Sequence, residues 1–337
     1  MPIDWSSFAA LVARPQRFIV TTHVRPDGDA LGSEIGMAGI LRSLGKDVAI
    51  VNASLTPPRY DFLDPDNTRF VPFGDPRAAP CLAAADAVVI LDLSSWSQLA
   101  EMAGFVREFR GTRIVVDHHV SEDDLGAHMF KDTSSEATGI LVQRCAAALG
   151  VRLDQEMATG LLTALAMDTG WFRHPATSAS TFRAAAELLD SGCDINQVYR
   201  QLYERNTLGR LRMFGAALAG LRLDLDGRLA YTVVTRDDFI RTGGVPPDTE
   251  DLVDATVSLR GVDVGLLFIE QPRGGVKVSL RARGDIDVAA IAQKFGGGGH
   301  RAAAGANLPD PLSGHLPRVL AAVRAALAEE TERLPKT

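Results

Sequence analysis

The chain has 337 residues, 46% of them hydrophobic and 23% charged, with a formal net charge of −7. That length is more than one core comfortably holds, so two domains are expected. The acidic balance excludes a protein that coats long nucleic acid, because such binding draws on many Lys/Arg–phosphate contacts; a small phosphorylated substrate needs only a few local cations. No apolar run approaches the ~20 residues of a membrane span, and Met1-Pro2-Ile3-Asp4-Trp5 lacks the regions of a signal peptide. The three cysteines, Cys81, Cys145 and Cys193, are odd in number and widely spaced, which predicts reduced, buried thiols in a cytoplasm.

In chain order, Phe18–Thr22 is a short β-branched run, and a Gly/Ala-rich helical pattern follows from Leu31 to Leu44, with Gly45 as a stop. Residues 48–51, 87–91 and 113–116 are further continuous apolar strands. Strands of this kind separated by helices predict an α/β domain, a doubly wound parallel sheet with helices on both faces. Residues 136–149 and 154–167 read as helices, and 178–221 as a helical connecting arm. Beyond it, 227–235, 262–270 and 275–282 alternate apolar and polar residues, 285–295 is a helix, Gly296–Gly299 and His300 form a glycine-rich loop, and 316–334 is an amphipathic helix. The expected division is 1–195, a linker at 196–224, and a smaller α/β domain at 225–337.

The chemistry sits at the ends of these elements. His23, Asp27 and Asp29 follow the first strand, Asp92 the third, Asp117-His118-His119 the fourth, and Asp168 ends a helix. In open parallel sheets ligands lie beyond the carboxyl ends of the strands, near the switch point, so these residues are expected to converge. Carboxylates mixed with imidazoles suit Mn²⁺ or another intermediate metal better than Ca²⁺. Two such ions about 3.5–4 Å apart can clamp both oxygens of an in-line phosphoryl displacement.

Taken singly, each residue has a plainer reading. Asp92 could be a helix cap, Asp27-Gly28 a turn, and the His118-His119 pair could have no role. It is the common placement of all four segments that favours metal binding. His128, His174 and His315 lie outside the clusters and read as surface or packing residues. In the second domain, the glycine run permits close backbone approach and its N–H groups could hold a phosphate, though it could equally be a flexible turn. Arg281 and Arg301 could each offer a planar fork to phosphate, or could be ordinary surface cations.

The segments HVRPDGDALGS, LDLS, VDHH and MDTG resemble the four motifs of the DHH phosphoesterase superfamily, and KVSLRARGDIDVAAIAQKFGGGGHRAAAGA resembles its substrate-binding DHH-associated domain. The resemblance runs over nearly the whole chain, and within the superfamily it is greatest to the stand-alone NrnA type. That type cleaves very short oligoribonucleotides (nanoRNA, linear dinucleotides) and 3′-phosphoadenosine-5′-phosphate.

The resemblance implies that His23, Asp27 and Asp92 hold one Mn²⁺, and that Asp29, Asp92, His118 and Asp168 hold a second, with Mg²⁺ or Co²⁺ as substitutes. His119 would face the scissile phosphate and Asp117 would orient its neighbours. Ser279, Arg281, Gly298, Gly299, His300 and, more weakly, Arg301 would hold the terminal nucleotide or its phosphate. The resemblance also implies a site in the cleft between the domains and a homodimer. A cyclic-dinucleotide phosphodiesterase is the alternative. A family II inorganic pyrophosphatase lacks a GGGGH loop, a RecJ-like exonuclease needs a longer chain, and a non-catalytic nucleotide-binding regulator fits poorly with an intact ligand set.

Overall fold

The structure, a computed structural model, describes residues 3–120 and 122–333, with His300 and residues 331–333 described by backbone alone. The chain falls into two compact units, Met1–Arg205 and Asn206–Thr337.

The first unit is built on six strands: β1 (Arg17–Thr21), β2 (Asp47–Asn52), β3 (Phe70–Pro72), β4 (Ala87–Leu91), β5 (Thr112–Asp117) and β6 (His128–Lys131). All pair in parallel, in the order β3-β2-β1-β4-β5-β6. This is a doubly wound sheet whose order reverses between β1 and β4, the position where such sheets bind ligands. Every residue of β4 is buried, as a strand covered on both faces requires. Its side chains alternate between two cores: Val89 and Leu91 join Phe18 and Val20 on one face, while Val88 and Ile90 join Ile19 on the other.

Helices cover both faces. They are α1 (Trp5–Ala13), α2 (Gly28–Ser43), α3 (Ala78–Ala84), α4 (Trp96–Leu99), α5 (Met102–Glu108), α6 (Thr138–Ala148), α7 (Gln155–Asp168), α8 (Ala179–Asp190) and α9 (Ile195–Tyr203). Helix α2 is buried at thirteen of its sixteen positions, among them the polar Asp29, Ser33 and Glu34. It runs antiparallel to α7 at unusually close range. A Cβ on Gly32 would stand 2.1 Å from the Gly160 carbonyl oxygen, and one on Gly28 2.4 Å from the Met167 side chain. Glycine at these positions therefore lets the start of α2 meet the end of α7.

The second unit opens with α10 (Leu208–Ala219) and carries α11 (Arg236–Thr242), α12 (Leu252–Val257), α13 (Val288–Gln293) and α14 (Leu312–Arg333). Its strands are β7 (Arg222–Asp224), β8 (Leu229–Val234), β9 (Val264–Glu270), β10 (Val276–Ala282), β11 (Gly298–His300) and β12 (Ala303–Leu308). They form a mixed sheet in the order β11-β12-β10-β9-β8-β7, in which only β8 and β9 run parallel. Alternation again feeds two cores: Leu266 and Phe268 lie on one side, Leu267 and Ile269 on the other.

Three local expectations change. The arm expected at 178–221 is three helices, because Ser178, Asp194 and Thr207 each begin a new one as side-chain caps. Helix α9 belongs to the first unit and α10 to the second. The glycine-rich loop is largely strand β11, at the edge of its sheet, where a Cβ on Gly297 would lie 2.1 Å from the Gly305 carbonyl oxygen and one on Gly299 2.5 Å from that of Ala303. All three cysteines are free; Cys145 and Cys193 are buried, whereas Cys81 is partly exposed. No helix among the described residues is long and apolar enough to cross a membrane.

Candidate metal centre

The switch between β1 and β4 gathers the first unit's motif residues. The Thr22 hydroxyl donates to the Leu91 carbonyl at 2.8 Å, tying the carboxyl ends of the two strands together. His23 follows directly. Its Nδ1 pairs with the Val24 carbonyl at 3.0 Å, and its Nε2 stands 3.4 Å from Asp92 Oδ2 and 3.9 Å from Asp27 Oδ1. Asp27 also has the plainer role its sequence suggests, because its Oδ1 accepts from the N–H groups of Asp29 and Ala30 and caps α2. Asp92 sits at the left-handed φ of +61°, a strained conformation for a non-glycine residue at the head of the strand.

His118 is fixed in the same way. Its Nδ1 lies 3.1 Å from the Ser135 carbonyl, and a ring nitrogen held by a carbonyl must carry the proton, which leaves Nε2 as the free ligand atom. That Nε2 is 3.1 Å from Asp168, 3.6 Å from Asp92 and 3.7 Å from Asp29. It is buried within ion-pair distance of three carboxylates, yet it is aligned with none of them for a hydrogen bond. A buried imidazole nitrogen facing three carboxylates within 3.7 Å fits a cation. Among the described residues the possible ligand atoms group as His23–Asp27–Asp92, Asp29–His118–Asp168 and Asp92–His118–His119. His119 differs from His23 and His118 in that its Nδ1 pairs with a side-chain carboxylate, Asp117 Oδ1 at 2.8 Å, rather than with a backbone carbonyl.

Electrostatics point the same way. Burial, followed by the charges of Asp92, Asp168 and Asp27, holds Asp29 well above the usual carboxylate range. Burial and Asp92 raise Asp27 to about 6, although its side chain is half open to solvent. Burial opposes charge on His23 and His118, but their carboxylate neighbours outweigh it and bring each to about 9. Without a cation, the cluster keeps protons to offset crowded negative charge. Asp117 is the exception: despite complete burial it is lowered to about 2 by hydrogen bonds from His119 and Ser94.

Several residues that sequence reasoning passed over support this centre. At the start of α6 the Thr138 and Gly139 N–H groups donate to Asp29 at 2.7 and 2.9 Å, and the Thr138 hydroxyl donates to Asp92 at 2.9 Å. Asn52 accepts from the Thr22 N–H and donates to the buried Glu34. Ser94 and Lys131 lie against Asp117. Thr138-Gly139 at a helix start was the one available signal, since free N–H groups there favour a carboxylate. His174 is a surface residue whose Nδ1 pairs with the Asp168 carbonyl at 2.9 Å in the turn after α7.

In the second unit, strand pairing brings the expected substrate residues into two neighbouring rows. Arg281, Ala303 and His300 lie across β10, β12 and β11 in one row, and Ser279, Gly305 and Gly298 in the other. The small residues of β12 leave the ground between them low. Arg281 Nε donates to Asp254 at 2.8 Å, and Arg301 donates to the Asp285 carbonyl at 2.6 Å. The side chain of His300 lies outside the described residues.

The chain matches the DHH family N-terminal domain over residues 17–167 and the DHHA1 domain over residues 228–329. It is 34% identical to the bifunctional oligoribonuclease and PAP phosphatase NrnA of Thermus thermophilus, over 91% of this chain and 89% of that one. Its fold resembles that of an exopolyphosphatase-related protein from Bacteroides fragilis, with a TM-score of 0.89 at 24% identity, covering 96% of this chain and 95% of the other. RecJ from Thermus thermophilus in complex with Mn²⁺ shares the fold at a TM-score of 0.57 and 16% identity, over 98% of this chain and 55% of RecJ. The chain belongs to the DHH family and is a phosphoester hydrolase.

Proposed function

We propose that this protein is a two-metal phosphoesterase that cleaves very short oligoribonucleotides to mononucleotides and 3′-phosphoadenosine-5′-phosphate to AMP. One observation carries the reading: the Nδ1 atoms of His23 and His118 are occupied by backbone carbonyls, while both Nε2 atoms face the motif carboxylates. His23, Asp27 and Asp92 would hold one ion and Asp29, Asp92, His118 and Asp168 the other, with Mn²⁺ suited to the mixed donors and Mg²⁺ or Co²⁺ as substitutes. Bound cations would polarise the phosphoryl oxygens and lower the pKa of an attacking water.

The protein's own groups do the rest. Asp117 holds the Nδ1 side of His119 and orients the ring, and His119 would stabilise charge on the phosphoryl group as the ester bond breaks. Ser279, Arg281, Gly298, Gly299, His300 and Arg301 grip the end of the nucleotide. In this reading residues 1–195 carry the cations, 196–224 connect, and 225–337 measure the substrate. The name of the Thermus relative, an oligoribonuclease and PAP phosphatase, supports the substrate class.

The test compares initial rates with Mn²⁺ on dinucleotide RNA, longer RNA, 3′-phosphoadenosine-5′-phosphate, and linear and cyclic dinucleotides. Dinucleotide RNA and 3′-phosphoadenosine-5′-phosphate should be turned over fastest. Comparable rates on long RNA would overturn the short-substrate reading.

A further inference from the structure

Lys131 is a cation in an unusual place. It ends β6, in register with Asp117 on β5, and its side chain is only 10% exposed. Its Nζ is 2.7 Å from Ser94 Oγ, 3.4 Å from Asp117 Oδ2 and 3.4 Å from Glu122 Oε2. Ser94, itself buried, donates to Asp117 Oδ2 at 2.7 Å. An ammonium has three donors and no acceptor, so the Ser94 hydroxyl must accept from Lys131 and spend its own proton on Asp117. One carboxylate oxygen of Asp117 is thus filled from this side. The other faces the His119 backbone N–H at 3.1 Å and Nδ1 at 2.8 Å.

The geometry points to Lys131 as a positioning residue that, through Ser94 and Asp117, locks the ring orientation and Nδ1–H tautomer of His119 for phosphoester hydrolysis. Asp117 has two oxygens, and two sets of donors hold them at fixed angles about its Cβ–Cγ bond. Remove the Lys131–Ser94 set and the carboxylate can turn, taking the aim of the His119 ring with it. The ring is carried on the two residues after β5, where no regular hydrogen-bond ladder constrains it. The catalytic part of this inference rests on the proposed role of His119; the structural part, that Lys131 sets the ring, does not.

The experiment uses ¹⁵N-histidine-labelled full-length protein, without cation and with Mg²⁺, with the His119 signals identified by loss in His119→Ala. At a pH alkaline enough to leave the ring neutral, wild-type His119 should show a single protonated-Nδ1 signature in slow exchange. Lys131→Met should give exchange-broadened or mixed tautomers, while Lys131→Arg restores the single form. In parallel, kcat on dinucleotide RNA should fall roughly 10–100-fold in Lys131→Met, the range for partners that orient site residues, with KM within about twofold. Combining it with His119→Ala should add nothing further. An unchanged His119 spectrum in Lys131→Met, or a loss confined to KM, overturns the proposal. Where Lys131→Met does not fold, Ser94→Ala cuts the same link and is read identically. Full activity in His119→Ala would instead remove the catalytic role of His119, and the spectra would still decide whether Lys131 sets the ring.

Discussion

Gly32 lies so close to Gly160 that any side chain on it would overlap the Gly160 carbonyl, with a Cβ 2.1 Å from the oxygen. The contact fixes the spacing of α2 and α7, and these helices carry Asp29 and Asp168 at their facing ends. Gly32→Ala should destabilise the protein by about 1–3 kcal/mol, the usual cost of overpacking. It should also weaken cation binding, because moving α7 draws Asp168 away from His118. Urea unfolding and a Mn²⁺ titration measure the two effects; lost stability with unchanged affinity would show that the spacing does not set the site.

Asp92 is the carboxylate nearest both histidine Nε2 atoms taken together, at 3.4 and 3.6 Å. Asp92→Ala should cost roughly 10³-fold or more in kcat, the equivalent of several kcal/mol of transition-state stabilisation. The ion-free variant should melt below the wild type, because the Thr138 hydroxyl and the His23 and His118 rings lose a carboxylate partner and Ala must adopt the left-handed φ. The increase in melting temperature caused by Mn²⁺ in the wild type should vanish in the variant.

Proton competition gives the site a pH signature. In the ion-free protein His23 and His118 titrate near 9 and Asp27 near 6, all above their ordinary values. The folded state therefore binds more protons than the unfolded chain. For the histidines the extra stability is complete below the unfolded value of about 6.5 and is lost as pH rises through 9. With chelator present, the melting temperature should fall from pH 6.5 to 9. Because a cation displaces these protons, binding should tighten over the same range, and calorimetry in buffers of different ionisation enthalpy should register proton release. Binding independent of pH would argue against these histidines as ligands.

Arg281 is held by Asp254 at 2.8 Å. If Arg281 grips a phosphate, Arg281→Ala should raise KM about 10–100-fold, the equivalent of 1.5–3 kcal/mol for a hydrogen bond to a charged group, and leave kcat nearly intact. Asp254→Ala frees the guanidinium and should leave KM equal or lower. Steady-state kinetics on dinucleotide RNA measures both variants, and an unaffected Arg281→Ala would return that residue to the surface-cation reading.

What the sequence made legible was the part with strong local signals. Continuous apolar runs such as Ala87–Leu91 mark the central strands, and His or Asp just beyond them marks the site. Strands β3 and β6 are three and four residues long, too short for periodicity to register, and nothing in the sequence singles out Lys131 on β6. Thr138, Ser94 and Asn52 were missed because their importance lies in which carboxylate they meet across the fold, 23 to 109 positions away in the case of Ser94 with Asp117 and Thr138 with Asp29. The three helices within 178–221 were readable in principle from Ser178, Asp194 and Thr207, but continuous helical composition hid the caps.

Glycines 296–299 look like one motif, but they answer to different neighbours. Gly297 and Gly299 are needed by their own sheet, where β12 leaves no room for a Cβ, whereas a Cβ on Gly298 would meet nothing within 4 Å. A run of four identical letters thus holds two separable instructions, one for building the edge of the sheet and one for whatever lies in front of it. Position 298 is a place where the chain can trial a new side chain, and with it a new ligand preference, without renegotiating its architecture.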